Sequence, residues 1–358
     1  MITEMNTNTF DERYQPSAYF EIDSSFIAAR HWPLTLIELA LDRGVEEHKL
    51  LRATGIFCED IARNQLQLSP QQCFQLIQNA QKYYPQPDLS FLLGHSLFIN
   101  NAGTAEIALA NAQSLQDALD ILLVYQQQLF PLLTPRLSYE QDRLVIYWQD
   151  ACGATNTQTF LLELMATALS ALSRWQSGIT LPWQFYFTHQ PPVYIEQYQV
   201  HLQIQEKSTT QLHFNAPVNA MAIVRSYLHL PWKKSDPFIA ANARAQLALH
   251  SHSMQQGFLA ETYNYLHNNI HLAPNLEQSA ADFCMSSASF KRKLKKHHSH
   301  FQAQYDLVRR DLAIMWLNQG GFTQEQVAQK LHFYDAANLR RAFKKWTGRL
   351  PQGMPLLD

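Results

Sequence analysis

FYDAANLRRAFKKWTG, residues 333–348, decides the fold of the C-terminal third of this chain. Asp335 is placed to cap a helix, because its carboxylate can accept the unpaired N–H groups of the first turn. Leu339 and Phe343 lie four residues apart and predict one buried face. Gly348 ends the helix, since glycine readily takes the left-handed conformation found there. The remaining surface carries the cations Arg340, Arg341, Lys344 and Lys345.

A short helix with an apolar underside and a basic upper face suits insertion into a nucleic-acid groove. The alternative is an ordinary helix whose basic face is solvated. A second stretch, residues 284–295 with the sequence CMSSASFKRKLK, favours the first interpretation because it repeats the pattern. Its cap Ser286 and its apolar Phe290 and Leu294 each precede their counterparts by 49 positions. The accompanying cations are Lys291, Arg292, Lys293 and Lys295.

A smaller helix precedes each cap and carries an alanine that we expect to be buried, Ala280 or Ala328. The repeat predicts two helix-turn-helix units in series. A tight turn between packed helices often needs one residue with positive φ, which glycine adopts without steric cost. Cys284 and His332 occupy these turns. We therefore expect a left-handed backbone at both, at a cost on the order of 1 kcal/mol each.

Over roughly residues 255–354 the chain resembles the AraC/XylS family of bacterial transcription regulators. In the second unit the matching residues are Val327, Ala328, Leu331, Phe333, Asp335, Asn338, Leu339, Arg341, Ala342, Phe343, Lys344, Trp346, Gly348 and Pro351. In the first unit and in the linker helix they are Ala280, Met285, Ser286, Phe290, Arg292, Leu294, Phe301, Arg309, Ala313 and Leu317. The chain departs from the family at both turns, where glycine is usual, and at Leu350 and Met354.

The charge distribution places the nucleic-acid face in the C-terminal third. The whole chain of 358 residues has a net charge of −2. Residues 251–358 hold 13 Lys and Arg against 8 Asp and Glu, whereas residues 1–250 hold 15 against 22. A basic third on an acidic body is the charge asymmetry expected of a protein that binds phosphate through one end. The hydrophobic content of 46% supports two domains with substantial cores.

The cysteines and the apolar segments indicate a soluble, cytoplasmic protein. Cys58, Cys73, Cys152 and Cys284 are widely spaced and form no C-x-x-C pair, which favours reduced thiols. The N-terminus lacks the basic and apolar regions of a signal peptide. The most membrane-like segment, residues 160–175, is too short to span a bilayer and contains charges.

The N-terminal two thirds are predicted to mix helices and strands. The predicted helices cover residues 33–41, 47–54, 70–83, 105–109, 115–129, 157–176 and 239–250. The predicted strands are a hairpin around residues 140–142, then Trp183–Phe187, Val200–Ile204 and Gln211–Phe214. Residues 1–30 are predicted to be a loose lead-in. The helix pair before Gly55 could be mistaken for a helix-turn-helix, but its acidic surroundings would repel phosphate.

Residues 34–237 also resemble, more loosely, the sensor domain that one AraC subgroup carries, the one labelled arabinose-binding-like. The matching residues are Leu36–Val45, Leu50, Leu51, Gly55, Ile56, Gly103, Leu115, Phe160, Leu161, Glu163, Trp175, Phe187, His189, Pro191, Leu230 and Pro231. The resemblance implies a small-molecule ligand and does not single out a sugar. The predicted ligand-binding residues are Arg136, Tyr147, Arg174, Trp175 and His189.

The chain shows no enzyme signature: no G-x-S-x-G, P-loop, H-E-x-x-H or Rossmann glycines. The histidines of residues 295–300 could bind a metal, but they are adjacent and lack a cysteine or carboxylate partner. A polar turn that touches phosphate is the simpler interpretation. We expect neither a metal nor another cofactor.

Together these patterns predict an α+β sensor domain at residues 1–235 and a connecting helix at 236–254. An all-α DNA-binding domain follows at 255–358, with two helix-turn-helix units joined by a linker helix. The predicted DNA contacts are Ser287, Ser289, Lys291, Arg292, Lys295, Ala336, Ala337, Asn338, Arg340, Arg341, Lys344 and Lys345. The predicted partners are double-stranded operator DNA, a small-molecule effector, RNA polymerase and a second copy of the chain.

Two rival functions remain at this point. In the first, the chain binds DNA constitutively and its N-terminal domain only dimerises. In the second, the chain is an enzyme with a borrowed DNA-binding module. Binding of a small molecule would exclude the first, and an open cleft with perturbed carboxylates and histidines would support the second.

Overall fold

The computed structural model describes residues 18–62, 66–99, 103–140, 142–204, 210–250, 255–318 and 321–351. Predictions on residues 1–17, on Gln141 in the hairpin turn, on residues 251–254 of the connecting segment and on residues 352–358, which include Met354, lie outside these ranges. The N-terminal part combines a five-stranded sheet with helices, and the part from residue 255 onward is almost entirely helical.

The helices of the N-terminal part follow the predicted pattern closely. They are α1 Trp32–Asp42, α2 Glu47–Leu50, α3 Cys58–Ala62, α4 Pro70–Tyr83, α5 Leu89–Leu97, α6 Thr104–Ala110, α7 Leu115–Val124, α8 Gln126–Leu129, α9 Gln158–Ser177, α10 Ile195–His201 and α11 Pro237–His250. A capping box starts α4, in which Ser69 and Gln72 satisfy each other's backbone N–H groups. The helix predicted over residues 115–129 breaks at Tyr125 into α7 and α8.

The strands form one large sheet and two short pairings. They are β1 Tyr19–Phe20, β2 Ile27–Ala28, β3 Gln67–Leu68, β4 Leu133–Glu140, β5 Arg143–Asp150, β6 Gln184–Tyr186, β7 Gln211–His213, β8 Ala220–Val224 and β9 Gln256–Gly257. The large sheet has the order β4-β5-β8-β6-β7, and only β6 and β7 are parallel. The predicted hairpin is confirmed as β4–β5, with Arg136 opposite Tyr147.

The strand predicted at Val200–Ile204 is wrong, because the segment closes helix α10. Tyr198 and Leu202 are buried four residues apart, and this helical spacing attaches the segment to the core. The Tyr198 hydroxyl donates a hydrogen bond of 2.5 Å to the buried carboxylate of Glu163. Val200 and Leu202 are apolar residues two positions apart, which is the spacing of a strand. The resemblance is misleading because Val200 is exposed and only Leu202 is buried.

Two further differences concern short apolar segments. Strand β8 was not predicted, although it lies between β5 and β6 in the sheet. Its sequence AMAIV is short and buried at four of five positions, so it shows no alternation. The described end of the lead-in is also not loose. Phe20, Ile22 and Ile27 are buried there, and β1 pairs in parallel with β9.

The C-terminal part contains α12 Phe258–Asn268, α13 Leu276–Asp282, α14 Ser287–Lys296, α15 Phe301–Asn318, α16 Gln324–Lys330 and α17 Ala336–Thr347. Helix α15 packs against α12, α16 and α17, in the place predicted for the linker helix. The predicted connecting helix corresponds to α11, which packs on α6. An ion pair between Arg244 and Asp117 fixes α11 near the start of α7.

The large sheet is covered on both faces, and this determines how the two parts of the chain meet. Leu144 and Ile146 of β5 point into the core that the N-terminal helices form. Val145 and Tyr147, on the other face of the same strand, pack with the C-terminal helices. The sheet is therefore the wall that separates the two cores.

Helix α9 contains the segment that most resembled a membrane span. It is buried on nearly all sides inside the N-terminal core, which explains its apolar sequence. Within the described ranges, no helix combines the length and apolar character needed to cross a membrane. Cys73, Cys152 and Cys284 are free thiols.

Candidate functional site

Helices α16 and α17 form a compact pair around a tight turn. The Asp335 carboxylate accepts the Asn338 N–H at 2.7 Å and caps α17. Leu339 and Phe343 are buried. The turn residue His332 has φ +57, as predicted. This arrangement leaves the opposite face of α17 open to solvent.

Helices α13 and α14 repeat this construction almost bond for bond. Ser286 caps α14 by accepting the Ser289 N–H at 3.2 Å. Cys284 has φ +56, also as predicted. The Met285 N–H donates to the Ala280 oxygen at 2.9 Å, and in the other pair the equivalent bond joins Phe333 to Ala328 at 2.8 Å. The internal repeat seen in the sequence is therefore a structural repeat.

The predicted DNA-contacting residues lie mostly on the open faces of α14 and α17. The exposed ones are Lys291, Arg292, Lys295, Ala337, Arg341, Lys344 and Lys345. Ser287, Ser289, Asn338 and Arg340 are half-buried. Ala336 is buried, so its side chain faces the interior of the helix pair.

The cations on these faces have only neutral partners among the described side chains. Arg341 donates to the Asn338 amide oxygen at 2.5 Å, and Arg292 donates to the Ser289 hydroxyl at 3.3 Å. Arg340 donates to Gln324 at 3.3 Å. Across the described ranges, none of the predicted contact cations forms an ion pair with a carboxylate. Their charge remains available for phosphate.

Two other cations of α14 point elsewhere. Lys293 forms an ion pair with Glu21 and donates to the Tyr19 hydroxyl at 3.1 Å. Lys296 pairs with Glu21 at 3.0 Å and with Asp23 at 2.5 Å. Burial opposes ionisation of Glu21, but the hydrogen bonds and charges of the two lysines hold its pKa below the usual value. The cations of α14 are thus divided between solvent and the N-terminal segment.

His297 is the first of the histidines that follow α14, and it is fully buried. It therefore does not belong to a polar turn. Its Nε2 accepts the Ile22 N–H at 3.0 Å, and its Nδ1 donates to the Lys293 carbonyl at 2.8 Å. The interpretation as a polar turn that touches phosphate is therefore wrong at this residue, because the N-terminal segment covers it. In the described part of the chain, no three His, Cys, Asp or Glu residues are grouped so that they could hold a metal ion.

A cavity of about 510 Å³ lies between the sheet and the C-terminal helices. One wall comes from β4 and β5, with Arg136, Tyr147 and Gln149. The opposite wall comes from α12 and α15, with residues such as Tyr263 and Met315. Its size is within the range of small-molecule sites in proteins. The cavity exists only while the two parts are packed together.

Arg136 is the central cation of this cavity. Its Nε donates to the Gln149 amide oxygen at 2.6 Å, and its guanidinium stacks over the Tyr263 ring at 4.3 Å. Burial lowers the pKa of Arg136, while the nearby charges of Asp311 and Glu261 oppose this shift.

The structure brings together only two of the five predicted ligand-binding residues. Arg136 and Tyr147 line the cavity. The other three lie elsewhere in the N-terminal part. Arg174 is half-buried on α9. The Nζ atom of Lys234 lies 4.8 Å from the ring centre of Trp175. His189 lies in an aromatic cluster near Tyr198.

Sequence reasoning missed the cavity residues that the C-terminal part supplies. These are Tyr263, His267, Leu307, Arg310, Asp311, Leu312 and Met315. They lie more than a hundred residues from Arg136, in helices assigned wholly to DNA binding. The one signal in the sequence was the charged pair Arg310–Asp311 in the predicted linker helix. This pair does not show which face of the helix turns toward the N-terminal part.

Exposed cations on two matching helix pairs, joined to an α+β part, are typical of transcription regulators. Residues 44–232 match the family described as the arabinose-binding domain of AraC transcription regulators, N-terminal. This match covers more than half of the chain. The chain belongs to this family, and it is a transcription regulator and not an enzyme.

Curated relatives agree with this assignment in kind. The ornithine utilization regulator of Pseudomonas aeruginosa is 25% identical over 319 residues, which are 88% of this chain and 92% of that protein. An uncharacterised HTH-type transcriptional regulator of Mycobacterium tuberculosis is 23% identical over 169 residues, 44% of this chain and 49% of that protein. The crystal structure of the transcriptional regulator CdpR from Pseudomonas aeruginosa aligns at a TM-score of 0.40 and 16% identity, over 90% of this chain and 96% of that one.

Proposed function

We propose that the chain binds specific DNA sequences through two helix-turn-helix units, α13–α14 and α16–α17, and that a small molecule controls this binding. One observation carries the DNA-binding proposal. The two helix pairs share their turn geometry and caps, and both present cations that form no ion pair with any carboxylate in the described part of the chain. A repeated basic surface of this kind suits two successive contacts with one duplex.

In this proposal α14 and α17 enter the major groove and α15 holds them apart. Two helices that read one face of straight DNA must be about 34 Å apart, one helical turn. Base contacts fall to the N-terminal halves, with Ser287 and Ser289 on α14 and Ala337, Asn338 and Arg341 on α17. Lysines farther along, such as Lys295 and Lys344, contact phosphates.

We assign sensing to residues 1–235, a connecting role to residues 236–254 and DNA binding to residues 255–358. The cavity supports small-molecule sensing over the rival in which the N-terminal part only dimerises, because a dimerisation module needs no cavity of this size. RNA polymerase and a second copy of the chain complete the proposed partners.

Alanine substitution of Arg341 and Arg292 tests the DNA-binding proposal. Each should weaken binding to the specific operator by about 1–3 kcal/mol, because each removes a charged donor from the exposed face of a proposed recognition helix. Lys82→Ala is the matched control, since it removes an exposed cation of α4, a helix of the N-terminal part. The measurement is a gel-shift titration, with circular dichroism to check folding. Affinities of both arginine variants equal to that of Lys82→Ala would refute the proposal.

A further inference from the structure

The cavity between the sheet and the C-terminal helices contains a cation, Arg136, that forms no ion pair with a carboxylate of the described residues, although the charges of Asp311 and Glu261 act on it from a greater distance. The neighbours of Arg136 are the Gln149 amide oxygen at 2.6 Å, the Ala260 carbonyl at 3.5 Å and the Tyr263 ring. All three are neutral. Among the described carboxylates, none forms an ion pair with Arg136. A guanidinium in such surroundings gains from any anion that reaches it.

Gln149 adds a second donor that points to the same chemistry. It is only 8% exposed, and its Nε2 has no hydrogen-bond partner among the residues that the structure describes. The orientation of the amide follows from Arg136, which occupies its oxygen. An unpaired buried N–H group is costly, so it marks a position where an acceptor belongs. Gln149 and Tyr147 lie on the same face of β5, the face toward the C-terminal helices.

The other charges of the cavity limit how much negative charge a ligand can carry. Asp311 is engaged by Arg310 at 2.7 Å and by the Tyr263 hydroxyl at 3.1 Å. Asp150 accepts three backbone N–H groups. These two carboxylates remain in the lining and would repel a second anionic group. A single carboxylate suits this balance better than a phosphate dianion does.

The remaining residues that line the cavity indicate the character of the rest of the ligand. It is predominantly apolar, with Leu123, Tyr147, Val218, Leu307, Leu312 and Met315. An apolar body therefore fits the space beyond the carboxylate, and its burial supplies most of the affinity.

We infer that the cavity binds a monocarboxylate with an apolar body, whose carboxylate is held by Arg136 and by the free Nε2 of Gln149. This inference deepens the proposed sensing function and rests on it for its biological role. The ligand would contact β4 and β5 on one side and α15 on the other. It would thereby stabilise the packing of the sheet against the helix that holds the two DNA-binding units.

The test uses the full-length protein without DNA, and octanoate and 3-phenylpropionate as probes. Isothermal titration and thermal melting measure their binding. Both acids should bind saturably and raise the melting temperature. Their primary amides, octanamide and 3-phenylpropanamide, should bind about tenfold more weakly or worse, because they lack the charge that Arg136 recognises.

Variants locate the site. Arg136→Gln should bind the acids no better than the amides, and Gln149→Leu should weaken them several-fold. Met315→Trp should reduce binding of acids and amides alike by filling the space from α15. Arg174→Gln, a half-buried arginine outside the cavity, should bind as the unchanged protein does. If Arg136→Gln fails to fold, the Gln149 and Met315 variants decide the matter.

Three results would overturn the inference: no saturable binding by either acid, equal binding of acids and amides, or loss of binding in Arg174→Gln with retention in the cavity variants. Because DNA is absent, these results do not depend on the proposed DNA-binding function. Operator binding by the protein without any probe, measured separately by gel shift, shows whether that function fails on its own.

Discussion

His297 is held in one protonation state by its two hydrogen bonds. Its Nε2 accepts from Ile22 and its Nδ1 donates to Lys293, so the ring is neutral. Desolvation by burial lowers the pKa of His297, although the nearby carboxylates of Glu21 and Asp23 act in the opposite direction and Lys296 adds to the lowering. A protonated ring would lose the Ile22 bond.

The sign of the resulting pH dependence follows from linkage. The unfolded chain protonates this histidine near pH 6.5, whereas the folded chain does so only at lower pH. The free energy of unfolding should therefore fall as the pH drops below about 6.5, until the folded pKa is reached. In urea melts, His297→Gln should be less stable than the unchanged protein at pH 7.5, and the difference should shrink at pH 5.5. If the difference in free energy of unfolding between His297→Gln and the unchanged protein were the same at both pH values, the assignment of a neutral ring to His297 would be contradicted.

At the scale of elements, the loop after β5 is built to dock on the end of α14. The Asp150 carboxylate accepts the N–H groups of Cys152, Gly153 and Ala154 at 2.7–2.9 Å. Gly153 has φ +96, and a Cβ there would lie 2.3 Å from the carbonyl oxygen of His297. Only glycine permits both the backbone conformation and this close approach.

Gly153→Ala should therefore destabilise the protein more than a substitution that introduces strain alone. Gly44→Ala is the matched control, because Gly44 has φ +86 and open space around its Cβ position. We expect Gly44→Ala to cost about 1–2 kcal/mol for the left-handed backbone. Gly153→Ala should cost at least about 1 kcal/mol more, because the loop and α14 must also separate. Urea unfolding of both variants measures this. Equal losses would show that the approach of the loop to α14 contributes nothing to stability.

The C-terminal elements were predictable because their signals are local. Caps, paired apolar residues and the spacing of 49 positions placed α14 and α17, and the positive φ of Cys284 and His332 followed from the turn geometry. Strand β8 and the segment at residues 200–204 were not predictable. Both are short, and their secondary structure depends on contacts with residues distant in sequence. Residues 18–30 were misjudged for the same reason, because their order comes from β9 and α14.

At the scale of the whole molecule, the cavity could not be predicted because neither part contains it. Arg136 was predicted to bind a ligand because it is a polar residue near aromatic strands. This prediction identified one wall of the cavity. The other wall comes from α12 and α15, and no pattern in the sequence indicates which face of α15 turns toward the sheet. Contacts between residues distant in sequence determine it.

The core of the C-terminal part also depends on the sheet, and this affects what an isolated fragment can do. Phe258, Leu294 and Phe343 pack within one hydrophobic cluster, together with Val145 and Tyr186 of the N-terminal part. A fragment of residues 251–358 retains all the helices of this cluster but loses the wall that covers Tyr263 and its neighbours.

We therefore expect this fragment to fold with native helix content and to melt at a lower temperature than the full-length protein. It should bind DNA, because α13–α17 lie within it, and its affinity should fall steeply with salt as neutralised phosphates release counterions. Circular dichroism and gel shifts at several salt concentrations measure both properties. The same fragment with Arg341→Ala is the control for specific contact. A fragment that is helical but does not bind DNA at low salt would show that residues 251–358 are not sufficient for recognition.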